Sequence, residues 1–231
     1  MKKPIVLLDL DDTILDFRKA ERGAISKTLL HFGIEPLEEI ITRYSEINAA
    51  QWKRLEKGEI DREEVLNGRF QKLFQELGLK CSSREAKAVY ENFLSQGHYF
   101  IPGAEEMLEK LRGYYRLFIC SNGTAVVQEG RLKSAGISPF FEKIFISEEL
   151  GFNKPSVEFF ELCFSRIPDF DRERVIIVGD SLSSDIQGGK NAGIKTCWFN
   201  PQGKPRSGEP VPDYEISKLE QVEMLLKKVF C

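Results

Sequence analysis

The sequence predicts an α/β fold in which a doubly wound parallel sheet carries an inserted α-helical domain. Two observations lead to this fold class. Short apolar runs alternate with helical segments from about residue 100 onward, a pattern typical of a parallel sheet covered by helices on both faces. One further apolar run, at residues 5–8, is separated from the others by about 80 residues that show only helical spacing.

The strands of this sheet are predicted from continuous apolar runs, because strands that are buried on both faces lack polar alternation. Residues 5–8 form the first strand, and four later runs complete the predicted sheet: 117–120, 144–146, 175–178 and 196–199. Helices are predicted between and after them, at about 104–112, 124–135, 156–166, 184–192 and 218–229. The Pro- and Gly-containing stretch 200–212 is predicted to be a surface loop before the last helix.

The segment that follows the first strand is rich in Glu, Lys, Arg and Leu and has apolar residues at helical spacing. Four helices are predicted there, and no strand-like alternation interrupts them. A small helical bundle inserted after the first strand is the simplest arrangement. We therefore expect a core domain formed by residues 1–16 and 100–231 and a helical cap domain formed by residues 17–99.

The composition narrows the classes of partner and compartment. The 231 residues carry 33 basic and 36 acidic side chains, and this net charge of -3 argues against a polymeric nucleic acid as partner. No apolar run of about 18 residues is present, so no membrane association is expected. The five cysteines form no CxxC motif, and we expect them to be reduced in a cytoplasmic protein. The sequence leaves the oligomeric state open.

Polar side chains form four clusters, each placed after a predicted strand. The clusters are Asp9-Leu10-Asp11-Asp12-Thr13, Ser121-Asn122, Lys154-Pro155, and Gly179-Asp180 with Asp185. Any one of them is common as a turn or a helix cap. Open α/β sheets bind ligands at the carboxyl ends of their strands, and the four clusters together therefore predict one site.

The residue types in these clusters suit phosphoryl transfer, which requires charge neutralisation and alignment of the reactants. Asp9 is a candidate carboxylate nucleophile that would form an aspartyl-phosphate. Mg²⁺ held by Asp9, the backbone carbonyl of Asp11 and Asp180 would screen the repulsion between carboxylate and phosphate. Asp11 is placed to protonate the leaving oxygen and then to deprotonate the hydrolytic water.

The remaining polar residues of the clusters are candidates for holding the phosphate. Lys154 would offset the acidic cluster and orient the nucleophile. Ser121 and Asn122, together with nearby backbone N–H groups, are the predicted phosphate-binding residues that follow the second strand. The predicted ligand is therefore a small phosphorylated metabolite.

The pattern Asp9-x-Asp11-x-Thr13, Ser121, Lys154 and Gly179-Asp180-Ser181-x-x-x-Asp185 resembles the haloacid dehalogenase (HAD) superfamily over nearly the whole chain. The resemblance implies a Rossmann-like core with a helical cap, a nucleophile at Asp9 and an acid/base at Asp11. It implies phosphate-site roles for Thr13, Ser121 and Lys154, a metal ligand at Asp180, and a second acidic position at Asp185 that we expect in the second shell. An acid/base carboxylate at position 11 argues against the dehalogenase branch.

A finer resemblance links the chain to the house-cleaning pyrimidine 5′-nucleotidases of this superfamily. It is carried by the run from Asp9 to Phe17, Ser121-Asn-Gly123 with Gln128 and Arg131-Leu132, Pro139-Phe-Phe141, and Ile146-Ser-Glu-Glu-Leu-Gly151. The resemblance implies nucleoside monophosphate substrates such as UMP, dUMP and dTMP. We expect the cap to form the nucleoside pocket, with Trp52, Tyr44 and Phe100 as candidate wall residues, although each is also a candidate for the cap core.

Two alternative functions remain open at the level of sequence. The chain is alternatively a phosphatase for a sugar phosphate or an acylneuraminate phosphate, because substrate choice resides mostly in the cap whereas the matched runs lie mostly in the core. More remotely, it is a non-catalytic binding module that has kept the fold, a reading opposed by the complete set of required side chains. A mutase is a weaker reading, since nothing in the sequence indicates that water is excluded from the phosphoryl group.

Overall fold

The computed structural model describes residues 2–206, 208 and 210–230. Its centre is a parallel sheet of six strands in the order β3-β2-β1-β4-β5-β6. The strands are β1 Ile5–Leu8, β2 Arg116–Ser121, β3 Lys143–Ile146, β4 Val175–Gly179, β5 Lys195–Phe199 and β6 Tyr214–Ile216. The reversal of strand order at β1 makes this a doubly wound sheet, and the predicted fold class is confirmed.

The first strand lies in the middle of the sheet because all four of its residues are apolar. Ile5–Leu8 is buried on both faces, and Leu8 pairs with Ile119 of β2 on one side and with Val178 of β4 on the other. Successive side chains of a strand point to opposite faces. Val6 and Leu8 therefore pack into one apolar cluster, and Ile5 and Leu7 into another.

Among the described residues, six α-helices follow the cap, and those that pack on the sheet complete its two apolar layers. They are α5 Ala104–Leu111, α6 Ala125–Ala135, α7 Ser147–Leu150, α8 Val157–Ser165, α9 Gln187–Asn191 and α10 Gln221–Phe230. Residues of α5, α6 and α10 join the cluster around Leu8, whereas α8 contributes Phe159, Phe160 and Phe164 to the opposite one. Both faces of the sheet are thus covered, as parallel sheets require.

The cap consists of four helices that enclose an apolar cluster of their own. They are α1 Phe17–His31, α2 Glu38–Glu56, α3 Arg62–Glu76 and α4 Ser83–Leu94. Side-chain caps at Asp16, Asp61 and Ser82 begin three of them by accepting hydrogen bonds from the first turn. The segments that enter and leave the cap lie side by side, since the Asp16 N–H donates to the carbonyl oxygen of Tyr99.

Three details of the fold differ from the expectations. The sheet has a sixth strand, Tyr214–Ile216. The sequence did not predict it, because this short edge segment has a charged residue at its centre and too few residues to show an alternating pattern. The predicted helix at 184–192 begins with a π-helical turn, Leu182–Ile186. Lys154 does not follow a strand directly, because the short helix α7 comes between it and β3.

The structure gives the state of four cysteines and the character of the described helices. Cys81, Cys120, Cys163 and Cys197 carry free thiols, whereas Cys231 lies outside the described residues. Within the described ranges, no helix combines the length and the apolar character that a membrane span needs. The cytoplasmic location stays a prediction.

Candidate active site

The strand ends bring the predicted residues together at one edge of the sheet. Asp9 follows β1, Ser121 ends β2 and Asp180 follows β4, and these are three adjacent strands. Lys154 reaches the same place from the loop after α7, and Asp185 reaches it from the π-helical turn Leu182–Ile186 after β4. All five residues line a cavity of about 210 Å³ between the core and the cap.

Lys154 is the central cation of this site. Its Nζ donates to Asp9 Oδ1 at 2.7 Å, to Asp185 Oδ1 at 2.6 Å and to the carbonyl oxygen of Cys120 at 2.6 Å. The side chain is buried, so all three of its protons are used within the protein. Although burial alone would lower it, Asp185 and Asp9 raise the pKa of Lys154 above its ordinary value.

Asp9 is held from three sides in a defined orientation. Its backbone N–H donates to the carbonyl oxygen of Val178 at 3.0 Å, and its Oδ2 accepts a hydrogen bond from Thr13 Oγ1 at 3.2 Å. Burial raises the pKa of Asp9 to about 7; Lys154 opposes this shift, and Asp185 and Asp11 add to it. The carboxylate is therefore fixed in position, and a further positive charge nearby would lower its pKa.

The acidic residues fit a divalent cation. Asp9, Asp180 and Asp185 each place a carboxylate oxygen within 4.8 Å of the others. Burial, followed by the carboxylates of Asp9 and Asp185, raises the pKa of Asp180 well above its usual range, so the charged form of Asp180 is disfavoured unless a cation is added. Lys154 balances one of the three carboxylates, and a hard oxygen-seeking cation of charge two would balance the rest.

Asp185 differs from the other two carboxylates because both of its oxygens already accept hydrogen bonds. Oδ1 accepts from Lys154, and Oδ2 accepts from the backbone N–H of Ser181 at 3.1 Å. A Cβ added to Gly179 would lie 2.2 Å from Asp185 Oδ2, so only glycine permits this close approach. Asp185 also belongs to the carboxylate cluster that could hold a cation, and its expected place outside the metal ligands stays a prediction.

Asp11 is held by two side chains of α6. Gln128 Nε2 donates to Asp11 Oδ2 at 2.6 Å, and Arg131 Nη1 forms an ion pair with Asp11 Oδ1. Arg131 is fully buried, and its Nε donates to the carbonyl oxygen of Gly97 at 3.0 Å, in the segment that leaves the cap. The candidate acid/base is thus tied to the core helix and to the cap connection.

The predicted phosphate-binding residues have different surroundings. Ser121 Oγ accepts hydrogen bonds from Gln128 Nε2 at 2.7 Å and from the Gly123 N–H at 3.1 Å. The Asn122 amide holds both the backbone N–H and the carbonyl oxygen of Lys154, at 2.8 and 2.9 Å. Asn122 therefore fixes the loop that carries the cation, and any contact with phosphate would be additional to that role. Its phosphate role stays a prediction, as does that of Thr13.

The cap supplies the other wall of the cavity. Its lining residues are Phe17, Trp52, Glu56, Leu66, Arg69, Glu91 and Leu94. Of the three expected wall residues only Trp52 is among them. Tyr44 is buried between Phe70 and Tyr90, so the alternative prediction, a place in the cap core, is confirmed for it. Phe100 packs against an apolar cluster of the core domain and is not among the lining residues.

Arg62 is a residue that the sequence reasoning did not select. Its Nη1 donates to the carbonyl oxygens of Asn122 and Gly123 at 3.0 Å, and its Nη2 donates to Ser147 Oγ and Asn153 Oδ1 at 2.5 and 2.6 Å. This side chain of α3 thereby joins the cap to two core loops beside the site. A lone arginine on a charged helix gives no sequence signal for such a contact, whereas Gln128 and Arg131 lay within runs that carried the finer resemblance.

Comparison with known proteins agrees with this geometry. The family model for haloacid dehalogenase-like hydrolases matches residues 6–199. The chain belongs to this family. The HAD-hydrolase YfnB of Bacillus subtilis is 41% identical over 221 residues, which are 96% of this chain and 94% of YfnB. Its crystal structure, bound to magnesium and revealing interdomain movement, matches with a TM-score of 0.92 and covers 98% of this chain and 99% of YfnB.

Two further relatives carry a more specific name. The pyrimidine 5′-nucleotidase PynA of Streptococcus pneumoniae is 36% identical over 96% of this chain and 94% of its own length. The pyrimidine 5′-nucleotidase YjjG of Escherichia coli is 29% identical over 99% of this chain and 100% of its own length. The family and these relatives confirm the predicted superfamily and confirm that the chain is an enzyme, a hydrolase of the phosphatase kind.

Proposed function

We propose that this protein is a Mg²⁺-dependent phosphatase that hydrolyses pyrimidine nucleoside monophosphates such as UMP, dUMP and dTMP through an aspartyl-phosphate at Asp9. The observation that carries the proposal is the Asp9 carboxylate itself, which is ion-paired with the buried Lys154 at the floor of a cavity shared with the cap. Asp11, two residues further on, lines the same cavity and supplies the acid/base group.

In the first step, a carboxylate oxygen of Asp9 attacks phosphorus, and the bond between phosphorus and the leaving oxygen breaks. Asp11 donates its proton to that oxygen, which leaves as the nucleoside hydroxyl. Lys154 keeps Asp9 in place and offsets part of the charge that accumulates in the site. Ser121 and the backbone N–H groups that follow it are the proposed donors to the phosphate oxygens.

In the second step, Asp11 takes a proton from water as the water attacks phosphorus. The bond between Asp9 and phosphorus then breaks, which releases inorganic phosphate and restores the Asp9 carboxylate. The ion pair with Arg131 holds one oxygen of the Asp11 side chain in place. Gln128 holds the other oxygen and limits rotation of the side chain.

Asp9 and Asp180 are the proposed side-chain ligands of the Mg²⁺ ion, with the backbone carbonyl of Asp11 as a third protein ligand and Asp185 orienting the site from the second shell. When bound, the cation neutralises phosphate charge and reduces its repulsion from Asp9. Two features support this assignment: the carboxylate oxygens lie within 4.8 Å of one another, and Lys154 neutralises only part of their negative charge. A divalent ion that was larger and accepted more oxygens, such as Ca²⁺, would suit the attack geometry less well.

The cap supports the choice of a pyrimidine nucleotide as substrate. The cavity, at about 210 Å³, is smaller than the roughly 300–1,000 Å³ typical of ligand sites, and the cap covers it. Such a site favours a single-ring base over a purine, and it disfavours diphosphates and triphosphates because their extra charge must fit beneath the cap. The names of PynA and YjjG give the same substrate class.

The proposal is tested by measuring kcat/KM for a panel of nucleotides and sugar phosphates with Mg²⁺ present. We expect UMP, dUMP or dTMP to exceed AMP, GMP and hexose phosphates by at least about tenfold, the scale on which a pocket discriminates by size. The Asp9→Asn variant is the matched control for contaminating phosphatase, since it keeps the shape of the side chain and removes the nucleophile. A sugar phosphate or acylneuraminate phosphate that exceeded every pyrimidine nucleotide tenfold would overturn the nucleotidase assignment.

A further inference from the structure

The cap side of the cavity contains three charged side chains that the proposed catalytic steps do not use, and one of them, Glu56, already accepts a hydrogen bond from Ser183. Arg69 comes from α3 and Glu91 from α4, and both line the cavity that also contains Asp9. The other cap residues of this wall include Phe17, Trp52 and Leu66, so the charged pair lies in largely apolar surroundings. Polar groups placed in an apolar pocket are the usual determinants of ligand specificity.

Arg69 is held in place by hydrogen bonds from its Nε and Nη1 groups. Its Nε donates to the carbonyl oxygen of Leu66 at 3.3 Å, its Nη1 donates to Asn48 Oδ1 at 2.9 Å, and the guanidinium lies 4.7 Å from the ring centre of Tyr90. The residue is only 3% exposed. Within the described ranges, no acceptor is found for Nη2, which leaves this group available to a ligand.

Glu91 provides the complementary acceptor. Its Oε2 lies 3.8 Å from Lys87 Nζ, whereas its Oε1 is buried and accepts no hydrogen bond from any residue that the structure describes. Buried side-chain oxygens without a partner are rare in native proteins, and each one calls for an explanation. A ligand that donates a hydrogen bond to Oε1 provides one.

We propose that Glu91 and Arg69 recognise the imide edge of a uracil or thymine base, a proposal that rests on the nucleotidase function proposed above. Glu91 Oε1 accepts the hydrogen bond of the N3–H group, and Arg69 donates to an adjacent carbonyl oxygen of the base. A carboxylate acceptor and a guanidinium donor on the wall of one cavity supply the two groups that this edge requires. The apolar wall that includes Trp52 covers the faces of the flat ring.

The same arrangement disfavours the other bases. Cytosine carries a lone pair at N3, which would face the Glu91 carboxylate and repel it. Guanine offers a similar edge, but we expect the small volume of the cavity, about 210 Å³, to disfavour its second ring. The proposal therefore predicts uracil and thymine nucleotides as the preferred subset of pyrimidine substrates.

The first test changes the substrate and leaves the protein intact. We expect N3-methyl-dUMP to have a kcat/KM at least about tenfold below that of dUMP, because a hydrogen bond to a charged group contributes roughly tenfold to a hundredfold. We expect dCMP to be reduced by at least about tenfold for the same reason. An N3-methylated nucleotide hydrolysed within about threefold of dUMP would overturn the proposal.

The second test asks whether Glu91 is the group that senses N3. In Glu91→Ala, we expect the ratio of kcat/KM for dUMP to that for N3-methyl-dUMP to fall to below about threefold, since the acceptor is gone. In Glu91→Gln, an amide that also donates, we expect the ratio of dCMP to dUMP to rise by at least about fivefold. Glu85→Gln, on the exposed face of the same helix, is the matched control and should keep the wild-type ratios.

The ratios separate recognition from loss of structure, because a merely destabilised cap lowers kcat/KM for both nucleotides together. A methylation penalty that is equal in the wild type and in both Glu91 variants would show that Glu91 does not recognise the base. A wild-type enzyme that prefers hexose phosphates to dUMP would instead refute the nucleotidase function, and this inference with it. The wild-type substrate panel thus distinguishes the two failures.

Discussion

At the scale of single residues, the site contains more carboxylates than cationic side chains, and each cation pairs with particular carboxylates. Lys154 is the buried partner of both Asp9 and Asp185, and replacing it with a neutral residue would leave two carboxylates unpaired in a buried place. Arg131 has the same relation to Asp11. Each cation therefore holds a specific carboxylate in position, and its effect on stability cannot be separated from its effect on chemistry.

Asp11→Asn is expected to slow turnover of a nucleotide by at least about 100-fold, the usual scale for loss of a general acid/base. The amide can still accept from Arg131 and Gln128, but it cannot deliver a proton to the leaving oxygen. In single-turnover measurements of phospho-enzyme formation, the loss should be smaller for p-nitrophenyl phosphate, whose leaving group needs little protonation. A loss of equal size for both substrates would instead indicate a structural role for Asp11.

Asp12→Asn is the matched control for this experiment. The Asp12 side chain accepts a hydrogen bond from the Phe17 N–H at 2.9 Å, and an asparagine oxygen can accept the same bond. We expect activity within about threefold of the wild type, the usual range for a substitution that preserves the contact it makes. The pair of variants compares the same chemical change at neighbouring positions.

At the scale of secondary-structure elements, the side chain of Arg62 joins one helix of the cap to the core. Arg62, at the beginning of α3, forms four hydrogen bonds to the loops at 122–123 and 147–153, and its guanidinium lies 5.5 Å from the ring centre of Trp52. A further contact joins Glu56 of α2 to Ser183, at 3.1 Å. These polar contacts act together with Val127 of α6, which packs into the apolar cluster of the cap.

Arg62→Ala is expected to weaken cap closure. We expect kcat/KM for a nucleotide to fall by roughly tenfold to a hundredfold, and amide hydrogen exchange in the two contacted loops to increase. Arg43→Ala is the control, because the hydrogen bonds of Arg43 go to Glu46 and Glu76 within the cap. Unchanged exchange in the loops of Arg62→Ala would contradict the role given to this side chain.

At the scale of the whole molecule, the acidic site links stability to pH and to Mg²⁺. Burial raises the pKa of Asp9 to about 7, so the folded protein without a cation retains a proton there that the unfolded chain has lost above about pH 4. This contribution to the free energy of unfolding is present below the unfolded pKa and is lost as the pH rises through about 7. A bound cation would compete with that proton and replace its effect.

The gain in Tm on adding Mg²⁺ is therefore expected to be larger at pH 8 than at pH 6. A concentration of 100 times Kd stabilises by about 2.7 kcal/mol, which for a chain of this size is roughly 5–10 °C. The measurement is thermal unfolding at both pH values, with Asp180→Asn as a control that should lose most of the gain. An equal or larger gain at pH 6 would contradict the linkage.

Much of the fold follows from local pattern. Four apolar residues before Asp9 are buried on both faces because nothing polar interrupts them, and this places the strand at the centre of the sheet. In the inserted segment, apolar residues at helical spacing predict the four cap helices, because these residues form the face that each helix buries in the cap cluster. The edge strand Tyr214–Ile216 could not be predicted, since its pairing with β5 depends on the neighbouring strand and not on its own three residues.

The candidate site divides in the same way between sequence and structure. The sequence by itself determined which residues follow the strands, and parallel strands then bring Asp9, Ser121 and Asp180 to one edge. Only the tertiary structure decided that Trp52 lines the cavity whereas Tyr44 is buried in the cap core, and that Arg62 joins the cap to the loops of the core. The physical reason is that the end of a strand is set by the apolar and polar residues next to it in the sequence. Contacts between the cap and the core depend instead on how the two pack against each other.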